Sequence, residues 1–257
     1  MPTVIRWGGM EVKPEQPSRA GWGGGADAYL MAIYVLFREE PPERVVSARV
    51  AEYLGVSPVS VSRALTRLLH GGDLERKVPW LKLTASGWLR AEVLLRHHHL
   101  AERWLTDELG LNWALAHQEA ERIGQAFSPQ VAEALWQRLG RPQRCPHGSP
   151  IPGTGAANTV AVALSGVDAG TYVVDRVLEQ VEGFTELLTR LQSAGLMPGK
   201  QVEVARHQPT EEVSVRSARP PGPWTILEPW LARRVLVRAH YGRGDQLALP
   251  ESVHGTA

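Results

Sequence analysis

Arg96 to Gln125 reads RHHHLAERWLTDELGLNWALAHQEAERIGQ, and one spacing that occurs twice in it restricts what the chain can build. Gly110 divides the stretch into two helices. On the first, His98 and Glu102 are four residues apart and share a face. On the second, His117 and Glu121 repeat that spacing. An imidazole and a carboxylate stacked one turn apart, on two consecutive helices, can converge on one divalent cation, because both bind first-row transition metals. The competing reading of any single pair is a solvated helix face. Two pairs in sequence favour the metal.

The rest of the chain bounds that reading. With 257 residues it can hold one large domain or two to three small ones, and 43% hydrophobic residues supply a core. No apolar run approaches the roughly 20 residues that cross a bilayer, so no membrane partner is expected. The N-terminal sequence has no charged start followed by an apolar core, and Cys145 is the single cysteine. A cytoplasmic protein without disulfides is expected. Neither H-E-x-x-H, G-x-S-x-G nor G-x-x-x-x-G-K-[ST] occurs. The expectation is a protein that is not an enzyme and takes no small organic substrate. A metal hydrolase built on the His/Glu cluster is the reading from another class; a site filled by protein donors leaves little room for the water it would need.

In chain order, residues 1–25 are rich in Gly and Pro, with Trp7, Trp22, Val4 and Ile5 as anchors, and read as a flexible arm with a docking point. A helix follows through ADAYLMAIYVLFREE, with Tyr29, Ile33, Tyr34, Leu36 and Phe37 as its apolar stripe. Then VVSARVAEYLGVSPVSVSRALTRLLHGG reads as helix, turn, helix. Ser47 is the expected cap of the first helix, with Val50, Ala51 and Leu54 on its inner face. Ser57-Pro58 opens the second, an N-cap hydroxyl followed by proline at the first helical position. That helix buries Val61, Leu65, Leu68 and Leu69. It exposes Val59, Ser60, Ser62, Arg63, Thr66 and Arg67, the small, hydroxylated and cationic groups that a recognition helix brings to a major groove. LERKVPWLKLT reads as a two-stranded wing. Between Arg63 and Arg90 there are six basic residues against two acidic ones. In a chain of net charge +1, that concentration points to double-stranded DNA. A winged helix that contacts protein is the alternative.

Thr84 to Gly87 opens the long helix that carries His98 and Glu102. Ser128-Pro129 starts a further helix with Val131, Leu135, Trp136 and Leu139 on one stripe, buried either in a two-fold dimer or within the chain. Residues 140–159 are a Pro- and Gly-rich connection. In it Cys145 and His147 are two apart and could supply soft ligands, a weak signal on a loop. From Val160 the pattern alternates like half-buried strands, including VAVALSGVDAGTYVVDRVLEQV, and FTELLTRLQSAG interrupts it as a short helix. About five short strands suggest a small β-barrel, with a short helical turn near Leu227–Ala232 and a loose tail beyond it.

Together AYLMAIYVL, VAEYLGVSPVSVSRALTRL, LTASG, RHHHLAERWLTDELGL, AHQEAER, FSPQVAEAL, CPHGSPIPG and LQSAGLMPGKQVEV resemble the diphtheria toxin repressor, or iron-dependent regulator, family of metal-activated transcription factors, over residues 26 to about 240. The resemblance implies a mainly α protein with a C-terminal β part. Its parts are an arm (1–25), a winged helix-turn-helix domain (26–90), a metal-binding and dimerisation domain (91–153), a small Src-homology-type β-barrel (160–241) and a tail (242–257). It implies a homodimeric repressor of metal-homeostasis genes, activated by Mn2+ or Fe2+, with Zn2+ also compatible. The family's ancillary metal position maps onto His98, Glu102, His117, Glu179 and Glu182, all able to ligate.

The family's primary position maps onto Ala28, Glu121, Gly124 and Gln125, of which only Glu121 is a strong ligand. Met31 stands where some relatives place a second carboxylate, and Asp27 is one residue off the ligating face. The expectation is an ancillary-type site that works and a primary site that is degenerate. A metal-independent repressor of the same fold, answering another signal, is the alternative. Relatives place a Ser, a Pro and a Gln on the recognition helix; here Val59 and Arg63 stand for the last two. The expected DNA-contacting residues are Ser57, Val59, Ser60, Ser62, Arg63 and Arg67, with Arg49, Lys77 and Lys82 on the phosphate backbone.

Overall fold

The computed structural model describes residues 4–5, 25–41, 45–77, 79–156, 159–182, 185–206 and 212–240; at residues 4, 5, 76, 77 and 182 only the backbone is described. Trp7, Trp22 and the tail from 242 lie outside the described residues, as do the side chains of Lys77 and Glu182.

Helix α1 (Ala26–Glu39) is more deeply set than a one-sided stripe: every residue from Ala28 to Leu36 is buried. It lies among α2 (Ser47–Leu54), α3 (Pro58–His70) and α4 (Ala85–Asp107), which cover it on several sides. The α2–α3 pair is the expected helix-turn-helix. Gly55 between them adopts φ 64°, and the Ser57 side chain accepts from Ser60 N. Ser47 does not cap α2. It is the first helical residue, and Val46 holds the cap position without a side-chain bond. Strands β2 (Leu74–Lys77) and β3 (Trp80–Leu83) pair antiparallel as the wing.

Helix α4 runs unbroken across residue 90, so the first two expected domains share one rigid element. Gly110 (φ 69°) ends its trailing turn. Asn112 caps α5 (Trp113–Ile123), its side chain accepting from Leu115 N. A 3-10 turn at Gly124–Ala126 follows α5. Helix α6 (Pro129–Arg138) starts at its Ser128 cap. Leu135, Trp136 and Leu139 pack partly against Leu100, Ala132 and Ile151, while Val131 stays 49% exposed.

Among the described residues the C-terminal domain holds a seven-stranded sheet in the order β1-β8-β7-β6-β5-β9-β4, where about five strands were expected. Its strands are β4 (Val162–Ala163), β5 (Gly170–Val177), β6 (Gln201–Arg206), β7 (Val213–Ser217), β8 (Trp224–Leu227) and β9 (Val235–Ala239), with β1 (Val4–Ile5) from the N-terminal arm. The arm's docking point is therefore a strand, pairing parallel with β8. Strand β5 stops at Val177. The LEQVE segment, expected to continue the strand, forms the short helix α7 (Glu179–Glu182) instead. Helices α8 (Thr185–Ser193) and α9 (Pro229–Ala232) complete the domain. Its core of Val and Leu side chains also receives Trp113 and Ala114 from α5, so the barrel is seated on the helical domain by apolar contact.

Candidate metal centre and DNA-facing helix

The phase of α4 places the centre. Thr84 caps the helix through its hydroxyl, which accepts from Gly87 N at 3.0 Å. With about 100° per residue, His98 and Glu102 then face α5, and His99 turns to the barrel. Glu102 is fully buried. Its Oε1 lies 3.0 Å from His98 Nε2 and 2.8 Å from His117 Nδ1, and its Oε2 is buried without a hydrogen-bond partner among the described residues. His98, Glu102 and His117 each offer one ligand atom, and these lie within 4.8 Å of one another. Three of the expected ligands thus meet.

Two others stand differently. Glu121 is outside the trio and lies 3.5 Å from His117 Nε2, where a carboxylate fixes the tautomer of a ligating imidazole. Glu179 Oε1 lies 2.9 Å from His99 Nε2.

The structure adds three donors that helical spacing could not reveal. His99, Glu102 and Cys145 form a second group with ligand atoms within 4.8 Å of one another. His147 is fully buried with Nδ1 3.4 Å from Glu102 Oε1. The loop that brings Cys145 and His147 is tightly clamped. Cys145 N bonds Ser149 O at 2.9 Å, Gly148 N bonds Cys145 O at 3.0 Å, and Val177 N bonds His147 O at 2.9 Å. Gly148 has φ 97°, and a Cβ there would sit 2.4 Å from Asp175 O. Only glycine lets this loop lie so close to β5.

Electrostatics agree with a cation-seeking cluster. Burial works against the Glu102 charge, yet His147, His98 and His117 around it hold its carboxyl well below the usual range. Burial would also lower His117, but its bonds to Glu102 and Glu121 carry it up to about 9. His99 is likewise raised against burial, by Glu179 and then Glu102. Imidazoles that hold protons between buried carboxylates mark positions where a divalent ion can stand in their place. The donor set fits such an ion.

The second position, expected to be degenerate, is nearly closed. Asp27, Met31, Leu94, His98, Ala120, Glu121 and Gln125 surround a gap of about 10 Å³, at the lower limit for a single water. Asp27 is ion-paired with Arg90, which also holds Asp73. At Gly124 a Cβ would meet the His98 backbone at 3.1–3.2 Å, so the turn packs where a longer side chain would need room.

On α3, Ser57, Val59, Ser62, Arg63, Thr66 and Arg67 are exposed and Ser60 is half-buried, while Val61, Leu65 and Leu68 are buried. Lys82 lies on the exposed wing, 3.3 Å from Glu75, and Trp80 is 47% exposed. Arg49 does not join this face. It pairs with Glu40 at 2.5 Å and donates to Gln180 Oε1 of the barrel domain at 3.0 Å.

A family model described as iron dependent repressor, metal binding and dimerisation domain matches residues 84–153. The iron-dependent repressor IdeR of Mycobacterium tuberculosis is 36% identical over 191 residues, covering 69% of this chain and 82% of that protein. The diphtheria toxin repressor of Corynebacterium diphtheriae is 34% identical over 195 residues, covering 69% and 83%. A solved manganese-dependent transcriptional repressor in complex with manganese has a TM-score of 0.71 at 28% identity, covering 82% of this chain and 98% of that one. Among the described residues no helix is long and apolar enough to cross a membrane.

Proposed function

Since the chain belongs to the iron-dependent and diphtheria toxin repressor family, we propose that it is a homodimeric repressor whose operator affinity is set by a divalent metal at the His98–Glu102–His117 centre. The observation that carries this reading is the buried trio, with Glu102 Oε1 within 3.0 Å of both imidazoles, in a chain that exposes a cationic recognition helix. Relatives include iron- and manganese-dependent repressors, and the donors here suit Mn2+ or Fe2+. The Cys145 sulfur makes Zn2+ a stronger competitor than an all-oxygen and imidazole set would. Bound, such an ion supplies positive charge and a fixed coordination geometry, with no reaction on a substrate.

The chain's own residues do the rest. His98, Glu102 and His117 would hold the ion. His99, Cys145 and His147 complete the wall, and Glu121 orients His117. Glu179, on His99, draws the barrel to α4, and Glu182 is the candidate fifth ligand. Ser57, Val59, Ser60, Ser62 and Arg63 would read base edges, with Arg67, Lys77 and Lys82 on phosphates. Arg49 is left out of this interface because its guanidinium is engaged between Glu40 and Gln180. The exposed Val131 of α6 and Leu115 of α5 would meet their copies in the dimer.

Metal content of the purified protein tests the reading, together with operator affinity. Stoichiometric metal lost in His98→Ala, with operator affinity falling about tenfold or more, is the expected result. The near-closure of the second metal position favours one rival, a repressor that ignores metal. Equal operator affinity in chelator, Mn2+ and Fe2+ would establish the rival and refute metal control.

A further inference from the structure

The family's second metal position is nearly closed here, and another physical link joins the metal centre to the DNA-binding domain. The link visible in the structure is a set of hydrogen bonds across the seam between α1–α2 and α7. Glu39, the last residue of α1, accepts from Glu179 N at 2.7 Å through Oε1 and from Gln180 N at 3.3 Å through Oε2. The next side chain along, Gln180, is 6% exposed. Its Oε1 accepts from Arg49 of α2 at 3.0 Å and from Arg234 of the barrel at 3.2 Å. Arg49 is in turn fixed by Glu40. Glu179, whose backbone Glu39 holds, bears the carboxylate on His99.

The structure assigns Glu39 as a positioning residue that transmits occupancy of the metal centre to the helix-turn-helix, through the backbone of Glu179 and Gln180. This inference rests on the metal-gated reading above and names its route. The chemistry has a definite direction. The Glu179 carboxylate lies 2.9 Å from His99 Nε2, at the wall of the metal centre. A cation taken up at that centre attracts it. It also fixes the Glu179 side chain, so the two N–H groups that Glu39 accepts from become better placed. The Glu39 carboxyl receives two backbone N–H groups, and these bonds hold the end of α1 against α7. Arg49 then ties the first helix of the helix-turn-helix to the same short segment. Metal uptake therefore favours the arrangement of α1–α2 that this seam holds, and by reciprocity DNA that selects this arrangement tightens metal binding.

The test compares wild type with Glu39→Gln in the full chain. Glutamine keeps the size but presents an NH2 group to one of the two N–H donors. The probes are Mn2+ alone and a DNA duplex selected by the Mn2+-loaded wild type from a random pool. Calorimetry reads Mn2+ affinity. Fluorescence anisotropy reads duplex affinity in chelator and in Mn2+. The wild type should show a duplex affinity at least tenfold higher with Mn2+. In Glu39→Gln, Mn2+ affinity and metal-free duplex affinity should stay within threefold of wild type, and the metal effect should fall below twofold. Melting temperature reports folding. Gln180→Ala, which leaves the Glu39 contact to the backbone and cuts the Arg49 link, should lose part of the metal effect and serves if Glu39→Gln does not fold. A full metal effect in either folded variant overturns the assignment and leaves metal control standing. A wild type that binds Mn2+ but shows no metal effect on DNA overturns both.

Discussion

His117 stands between two carboxylates, with Glu102 2.8 Å from Nδ1 and Glu121 3.5 Å from Nε2. Burial disfavours its charge, but those bonds prevail and raise its pKa from the ordinary 6.5 to about 9. Without metal, this proton stabilises the fold fully below pH 6.5, and the contribution is lost as pH rises through about 9. A metal ion on Nδ1 must displace it, so affinity should rise by about tenfold per pH unit toward 9 for one proton released. The gap in melting temperature between metal-loaded and metal-free protein should widen between pH 6.5 and 9. Thermal melts with and without Mn2+ would show it, and a gap constant with pH would remove His117 from the ligand set. The trio was legible in the sequence because helices repeat: residues four apart must share a face. His99 was not, and Cys145 and His147 gave only the weak signal of a Cys-x-His on a loop. His99 is one step round the helix from His98, toward a surface only the docked barrel supplies. Cys145-x-His147 sits on a loop without periodicity, whose path is fixed by backbone bonds to β5.

The elements divide along the same physical line. Helix α3 could be read from Ser57-Pro58 and its apolar spacing, since cap, proline and period are all local. The α7 turn is less legible: Leu178 and Val181 are three apart, as in a helix, but this short segment follows directly on the strand pattern of β5, and the Glu39 carboxyl that accepts from the Glu179 and Gln180 N–H groups comes from a distant helix. The loop 145–149 is held by long-range packing too, and Gly148 is where that packing can be broken. Alanine there would need φ 97° and would place its Cβ 2.4 Å from Asp175 O. Gly148→Ala should destabilise the protein by about 2 kcal/mol or more, given the combined strain and overlap. Metal affinity should fall with it on the order of tenfold, because Cys145 and His147 lose their support. Urea unfolding and Mn2+ titration measure the two effects. Wild-type stability in this variant would mean that the loop moves without cost.

At the scale of the whole molecule, a near-neutral chain has to bind a polyanion, and the structure resolves this by segregation. The α3 face and wing gather Arg63, Arg67 and Lys82 on exposed surface, while Arg49 and Arg234 are held in partly buried hydrogen bonds and the exposed Arg90 is paired with Asp27 and Asp73. In a two-fold dimer every contact is made twice, once in each half-site. The two kinds of cation on α3 should therefore separate cleanly. Arg63 is read as a base contact, and arginine favours guanine where the family's glutamine would favour adenine. Arg63→Ala should relax preference at one base position in each half-site, at about 1–3 kcal/mol of discrimination per position. Arg67 is read as a phosphate contact. Arg67→Ala should weaken binding almost equally on all sequences and lower the slope of log affinity against log salt by about 2, one phosphate from each protomer. Binding measured from low to moderate salt, on selected and scrambled duplexes, distinguishes the two roles. A slope lowered by about 1 would mean that a single protomer engages. An unchanged slope would place Arg67 off the DNA and leave the wing to supply the phosphate contacts.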